Sequence, residues 1–110
     1  MTLRVSLAVA AVLSILASAA SADDATAVLS IRDHRFEPAE LVVPADKRIK
    51  LTVKNLDSTP EEFESHDLNR EKVIPGGADA TIYIGPLEPG TYTFFGEFHE
   101  DTAQGRIVAK

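Results

Sequence analysis

Ile49, Leu51 and Val53 alternate with Lys50, Thr52 and Lys54, and this period of two constrains the fold more than any other feature. An apolar side chain at every second position lines one face of an extended strand and cannot line one face of a helix. Shorter runs of β-formers surround it: Val28-Leu29-Ser30-Ile31, Glu40-Leu41-Val42-Val43, Ala80 to Ile84, Thr91-Tyr92-Thr93-Phe94-Phe95 and Arg106-Ile107-Val108. Turn residues separate them, namely Pro44, Asn55-Leu56-Asp57-Ser58, Gly76-Gly77 and Glu88-Pro89-Gly90, each suited to reversing or stopping an extended chain. His34 to Pro38 reads as a polar turn carrying one aromatic, Phe36. The polar, acidic stretch from Thr59 to Pro75, with Phe63, Leu68, Val73 and Ile74 as sparse anchors, reads as a long loop of the functional or partly structured kind. Six or seven short strands joined by Pro, Gly and Asn turns predict an all-β fold, a sandwich or a barrel.

The first residues read differently. Arg4 precedes an apolar run, Val5 to Ala17, broken only by two serines; Ala20-Ser21-Ala22 then leads into Asp23-Asp24. A short positive region, an apolar stretch and a small-x-small tail make a secretory signal peptide, residues 1–22, to be removed before residues 23–110 fold as one domain. The run is shorter than the roughly 20 residues that a bilayer span needs. Export places the domain in the periplasm, with no direct membrane insertion after cleavage.

Charge and cysteine count narrow the chemistry. All 17 acidic residues and every basic residue except Arg4 lie after the leader, and the whole 110-residue chain carries a formal charge of −6. That balance argues against nucleic acid and anionic membrane surfaces as partners and suits cationic ligands, metal ions among them. The chain has no cysteine, so an exported domain of this size relies on packing, or on a metal, for stability. Nucleophile motifs, glycine-rich phosphate loops and zinc-finger spacings are also missing from the sequence.

The run Phe36-Glu37-Pro38-Ala39-Glu40-Leu41 with the alternation ending at Asn55, and the run Pro89-Gly90-Thr91-Tyr92-Thr93-Phe94-Phe95 with His99 and Gly105-Arg106-Ile107-Val108, resemble the two halves of a cupredoxin domain. The resemblance implies a cupredoxin-like Greek-key β-sandwich over nearly all of residues 23–110. It also exposes departures. Glu61, Glu62 and Glu64 stand where a ligand His would follow Asn55, Gly96 stands at the ligand Cys, and Ala103 and Gln104 replace the axial Met. Of the four blue-copper ligands only His99 survives. A blue-copper centre needs a copper–thiolate bond, so a conventional blue-copper electron carrier is excluded.

Glu61-Glu62-Phe63-Glu64-Ser65, Phe95-Gly96-Glu97-Phe98-His99 and Thr102-Ala103-Gln104-Gly105 are similar to the cysteine-less, EfeO-type cupredoxin-like proteins of bacterial iron uptake. The particular likeness is to the small periplasmic cupredoxin component of four-part ferrous-iron transport systems. That likeness implies a periplasmic protein that binds copper or iron ions, aids Fe2+ oxidation in its stronger form, and works with a membrane iron permease and the other components of the system. The expected metal ligands are Glu62 and His99, with Glu97, Glu64 and His66 completing the site or orienting its ligands. A register shift of one residue would exchange Glu61 for Glu62. Carboxylate and imidazole donors suit Fe2+, Mn2+, Zn2+ or Cu2+ and suit Cu+ poorly. The competing readings are a non-catalytic docking module and a copper chaperone. His34 is expected to be structural or exposed, Phe36, Tyr92 and Phe94 to lie in the core, and Phe63 and Phe98 to anchor their loops.

Overall fold

The structure, a computed structural model, describes Thr2 and residues 24–110; apart from Thr2, the expected signal peptide lies outside the described residues. Nine strands are described: β1 (Ala25–Arg32), β2 (Arg35–Glu37), β3 (Glu40–Val43), β4 (Ile49–Asn55), β5 (Glu61–Ser65), β6 (Arg70–Ile74), β7 (Asp79–Ile84), β8 (Gly90–Gly96) and β9 (Gln104–Ala109). One turn of 3-10 helix, Glu97–His99, follows β8. Among the described residues no helix is long and apolar enough to cross a membrane.

The strands form two sheets, ordered β2-β1-β4-β7 and β3-β9-β8-β5-β6. Each is mixed: β1 runs parallel to β4 and β3 parallel to β9, and the other neighbours are antiparallel. The alternation that predicted β4 is realised in full. Ile49, Leu51, Val53 and Asn55 are buried, and the residues between them face outward. Leu29 and Ile31 of β1, Ile82 and Ile84 of β7, and Ile107 and Ala109 of β9 complete the core in the same phase. Such alternation is what two sheets packed face to face require.

The region from Thr59 to Pro75 is not one loop. It folds as the antiparallel hairpin β5–β6, with Phe63 opposite Lys72 and Glu64 opposite Glu71. Phe63 is fully buried and does more than anchor a loop. Its ring stacks on Phe94 at 5.1 Å and meets the edge of Phe36 at 6.2 Å, so one aromatic carries an otherwise polar strand into the core. Phe36 and Phe94 are core residues as expected and Tyr92 packs at its margin, whereas Phe98 is exposed.

Candidate metal centre

The candidate centre starts from Asn55, which ends β4 with its side chain buried. Its amide nitrogen donates to the carbonyls of Thr59 and Ile74, at 2.8 and 3.1 Å, and its oxygen accepts the Asp57 amide at 3.0 Å. These bonds fix the segment between β4 and β5 and aim the Asp57 carboxylate at the β1–β2 turn. There Asp33 and His34 both have left-handed backbone, φ 51° and 56°, a conformation uncommon outside glycine. Asp57 accepts both of their amides, at 2.8 and 3.0 Å. The His34 amide, and beside it that of Asp33, hold the Asp57 carboxyl below its ordinary value, because hydrogen bonds to a carboxylate favour its charged form. The Thr102 hydroxyl donates to the His34 carbonyl. His34 is thereby held from two sides and its ring stacks on that of His99, with centroids 3.6 Å apart and planes 13° from parallel.

Glu61 opens β5 with 1% of its surface exposed. A carboxylate so buried requires partners, and it has three. One oxygen accepts the amides of Glu62 and Phe98, at 3.0 and 3.1 Å; the other pairs with Nδ1 of His99. One donor atom each from His34, Glu61 and His99 lies within 4.8 Å of the others. His34 and His99 also line an open groove with Glu97, Phe98, Glu100, Asp101 and Thr102, so the cluster is reachable from solvent.

Gly96 makes room for this arrangement. A Cβ at that position would stand 2.7 Å from an oxygen of Glu61 and 2.7 Å from Cβ of Ala103. At the position where the cupredoxin pattern places its thiolate, the space belongs to the Glu61 carboxylate. Gly96→Ala is therefore expected to lower stability by about 1–3 kcal/mol through overpacking, read as a lower urea midpoint, and to weaken the Glu61–His99 pair.

The expected ligands are divided by the pleat of β5. Successive side chains of a strand point to opposite faces. Phe63 is in the core, so Glu61 and Ser65 turn inward with it, while Glu62 and Glu64 turn to the outer face of the sheet. The structure accordingly brings His99 together with Glu61, the residue that a one-place shift exchanges for Glu62, and not with Glu62 itself. Glu62, Glu64 and Glu97 gather instead with Glu71, one carboxylate oxygen from each lying within 4.8 Å of the others. His66 belongs to neither group; its side chain is 79% exposed and 3.9 Å from Glu64. His34, read from sequence as structural or exposed, is half-exposed and stacked at the centre. Its signal in sequence was slight: one imidazole in a tight turn whose distance from His99 only the sheet order determines.

Two sheets with this strand order, and a histidine–carboxylate cluster beside the strand β8, define a cysteine-free β-sandwich of the cupredoxin type. Residues 5–109 match the family described as a cupredoxin-like domain, and the chain belongs to that family. An uncharacterized protein of Rickettsia prowazekii (strain Madrid E) is 49% identical over 80 residues, which are 73% of this chain and 64% of that protein. The chain thus spans less than two thirds of this relative's length. Among solved structures, auracyanin A, a "blue" copper protein from Chloroflexus aurantiacus, superposes with a TM-score of 0.68 at 15% identity, covering 79% of this chain and 99% of that one. A purple cupredoxin from Nitrosopumilus maritimus gives a TM-score of 0.59 at 20% identity, covering 79% and 100%. At such identities the likeness is one of fold.

Proposed function

We propose that this is a periplasmic metal-binding protein of ferrous-iron uptake, in which His34, Glu61 and His99 hold a copper or iron ion where other cupredoxins use a thiolate set. The observation that carries the reading is the convergence of two imidazoles and a buried carboxylate within 4.8 Å. The donor set fits the metals proposed: imidazole and carboxylate suit Cu2+, Fe2+ and Zn2+, and the absence of cysteine and the single methionine speak against Cu+ storage. Asp57 and Thr102 supply the surrounding hydrogen bonds that orient ligands in metal sites. A docking module would be favoured by Glu62 and His99 pointing apart into solvent; Glu62 turns away from His99 but is buried, and Glu61 beside His99 supports the metal reading.

In the stronger form the protein aids oxidation of Fe2+ before delivery to an iron permease. A copper ion held by His34, Glu61 and His99 would supply a one-electron couple for that oxidation, with dioxygen as the terminal electron acceptor. The chain's own part is to hold the donors in register through Asn55, Asp57 and Gly96, and to offer the acidic groove of Glu97, Glu100 and Asp101 to an approaching cation.

Calorimetric titration of the protein with Cu2+ and, anaerobically, with Fe2+ tests the site. Tight binding that His34→Ala and His99→Ala each weaken by about 10-fold or more, with nitrogen couplings in the Cu2+ paramagnetic resonance spectrum, is the expected result. Binding indifferent to both substitutions would leave the docking module. Oxygen uptake with Fe2+ by the copper-loaded protein then separates oxidation from carriage.

A further inference from the structure

The formal charge of −6 is divided unevenly between the two sheets. Leu29 and Ile31 of β1 and Ile49, Leu51 and Val53 of β4 turn inward, so the residues between them turn to the outer face of the sheet β2-β1-β4-β7. That face receives Val28, Ser30 and Arg32 from β1 and Lys50, Thr52 and Lys54 from β4. Neither of these central strands contains a carboxylate. Arg35 joins them from β2, directly opposite Arg32 in the ladder. Arg48 lies over the ring of Tyr83, 4.2 Å from its centroid, and so extends the basic patch to the β7 edge. Acidic side chains enter this face only at its margins, as Glu37 of β2 and Asp79 of β7. The outer face of the other sheet has the opposite sign: Glu40, Glu62, Glu64 and Glu71 share it with Arg106.

The basic groups are also free. Among the described residues Arg35, Arg48, Lys50 and Lys54 form no ion pair, and Arg32 approaches Glu37 only to 3.9 Å. Like charges opposite one another, as at Arg32 and Arg35, weaken a ladder, so stability of the sheet does not account for them. The shape of the face indicates what they meet. Tight protein interfaces are anchored by packed aromatic and apolar side chains near their centre. Here the exposed apolar groups are Val28 and Tyr83, on strands separated by the whole width of β4, and the centre is held by Lys50, Thr52 and Lys54. A charged bilayer needs no such anchor. It attracts each Lys or Arg that comes within a screening length of its surface.

We propose that the outer face of β2-β1-β4-β7 docks this protein peripherally on bilayers of anionic phospholipid, of the phosphatidylglycerol class. Lys50, Lys54, Arg32 and Arg35 reach the headgroup phosphates, and the ring of Tyr83 sits at headgroup level with its hydroxyl in water. Overall acidity taken alone argues against such a surface, but a field that is basic on one face and acidic on the other orients the molecule. The acidic sheet is repelled and turns away from the lipid. The strands then lie along the bilayer, and the end of the sandwich that carries His34 and His99 opens sideways over the membrane surface. Docking uses none of the proposed metal ligands, so it stands or falls independently of the function proposed above.

The test is cosedimentation of the full chain with vesicles of phosphatidylcholine alone or mixed in equal parts with phosphatidylglycerol. A contribution from the apolar first residues appears with both kinds of vesicle, so the difference between them reads the electrostatic part. Binding selective for phosphatidylglycerol is expected, and is expected to fade as salt rises toward about 1 M, where charges are screened beyond about 3 Å. Lys50→Gln/Lys54→Gln should weaken it by about 10-fold or more. Lys72→Gln/Arg106→Gln removes the same charge from the other sheet and should change it little. The chain has no cysteine, so a single one can carry a polarity-sensitive fluorophore. Attached at Thr81→Cys on the basic face the dye should shift to the blue with phosphatidylglycerol vesicles, and at Thr91→Cys on the acidic sheet it should not. This readout leaves the lysines in place and decides alone if their variant fails to fold. Equal binding to both kinds of vesicle overturns the proposal, and leaves the basic face to an acidic protein. Equal losses in the two charge variants overturn it as well, and so does a dye shift confined to Thr91→Cys.

Discussion

Glu61→Ala is expected to cost about 2–5 kcal/mol of stability, because donors around a buried acceptor are left unpaired, and to abolish metal binding at the histidines. Three losses combine. The Glu62 and Phe98 amides lose their acceptor, and a buried donor left unpaired costs about 1–3 kcal/mol. His99 loses the contact that orients its ring. The space that the Glu61 carboxylate fills beside Gly96 is left as a cavity. Glu61→Gln separates these effects. It keeps the shape and one oxygen for the two amides, so its stability should fall by only about 1 kcal/mol, the value of a single hydrogen bond. It exchanges an anionic donor for a neutral amide, so Cu2+ affinity should still fall by about 10-fold or more. Urea melts and calorimetry on the same samples read both quantities. A Gln variant that binds Cu2+ like the parent would remove Glu61 from the ligand set and leave it a positioning residue for His99.

That Glu61 takes the place first assigned to Glu62 shows where the sequence was legible and where it was not. β4 could be read directly, because Ile49, Leu51 and Val53 impose one phase on a strand with charged residues between them. The aromatic strand β8 and the closing strand β9 were legible as runs of β-formers bounded by turn residues. β5 and β6 were not. Glu61-Glu62-Phe63-Glu64-Ser65 offers one large apolar side chain and Arg70-Glu71-Lys72-Val73-Ile74 buries only Ile74, so their hydropathy is that of a solvated loop. Phe63 held the missing information: once it is placed in the core, the pleat sends Glu61 inward and Glu62 outward. His34 was illegible for another reason. Its approach to His99 depends on the left-handed turn at Asp33-His34 and on Asp57, 23 residues away, and no local pattern reports a contact of that kind.

The metal-free protein is expected to lose stability as pH rises from about 4.5 to about 8, by up to about 1.4 kcal/mol per pH unit beyond what a Glu62→Gln variant loses. Burial, first, and then hydrogen bonding to Glu97 and Glu71 push the Glu62 carboxyl from an ordinary 4.5 up to about 8. Removal from water disfavours the charged form, and neighbouring carboxylates disfavour it further. Below pH 4.5 the folded and unfolded chains both hold the proton, and the contribution of Glu62 is fully present. Between 4.5 and 8 the unfolded chain has released it and the folded chain retains it, so each step upward in pH favours unfolding. Above 8 both are ionised and the dependence ends. Glu97, Glu71 and Glu64 are the charged groups facing Glu62 from neighbouring elements, and Glu62→Gln leaves them in place while removing the proton that couples to them. Urea unfolding with a chelator present, at intervals from pH 4 to pH 9, measures the difference between parent and variant. A difference that stays constant with pH would mean that Glu62 ionises in the fold as it does in the unfolded chain, and that its buried oxygen is solvated by routes other than its carboxylate neighbours.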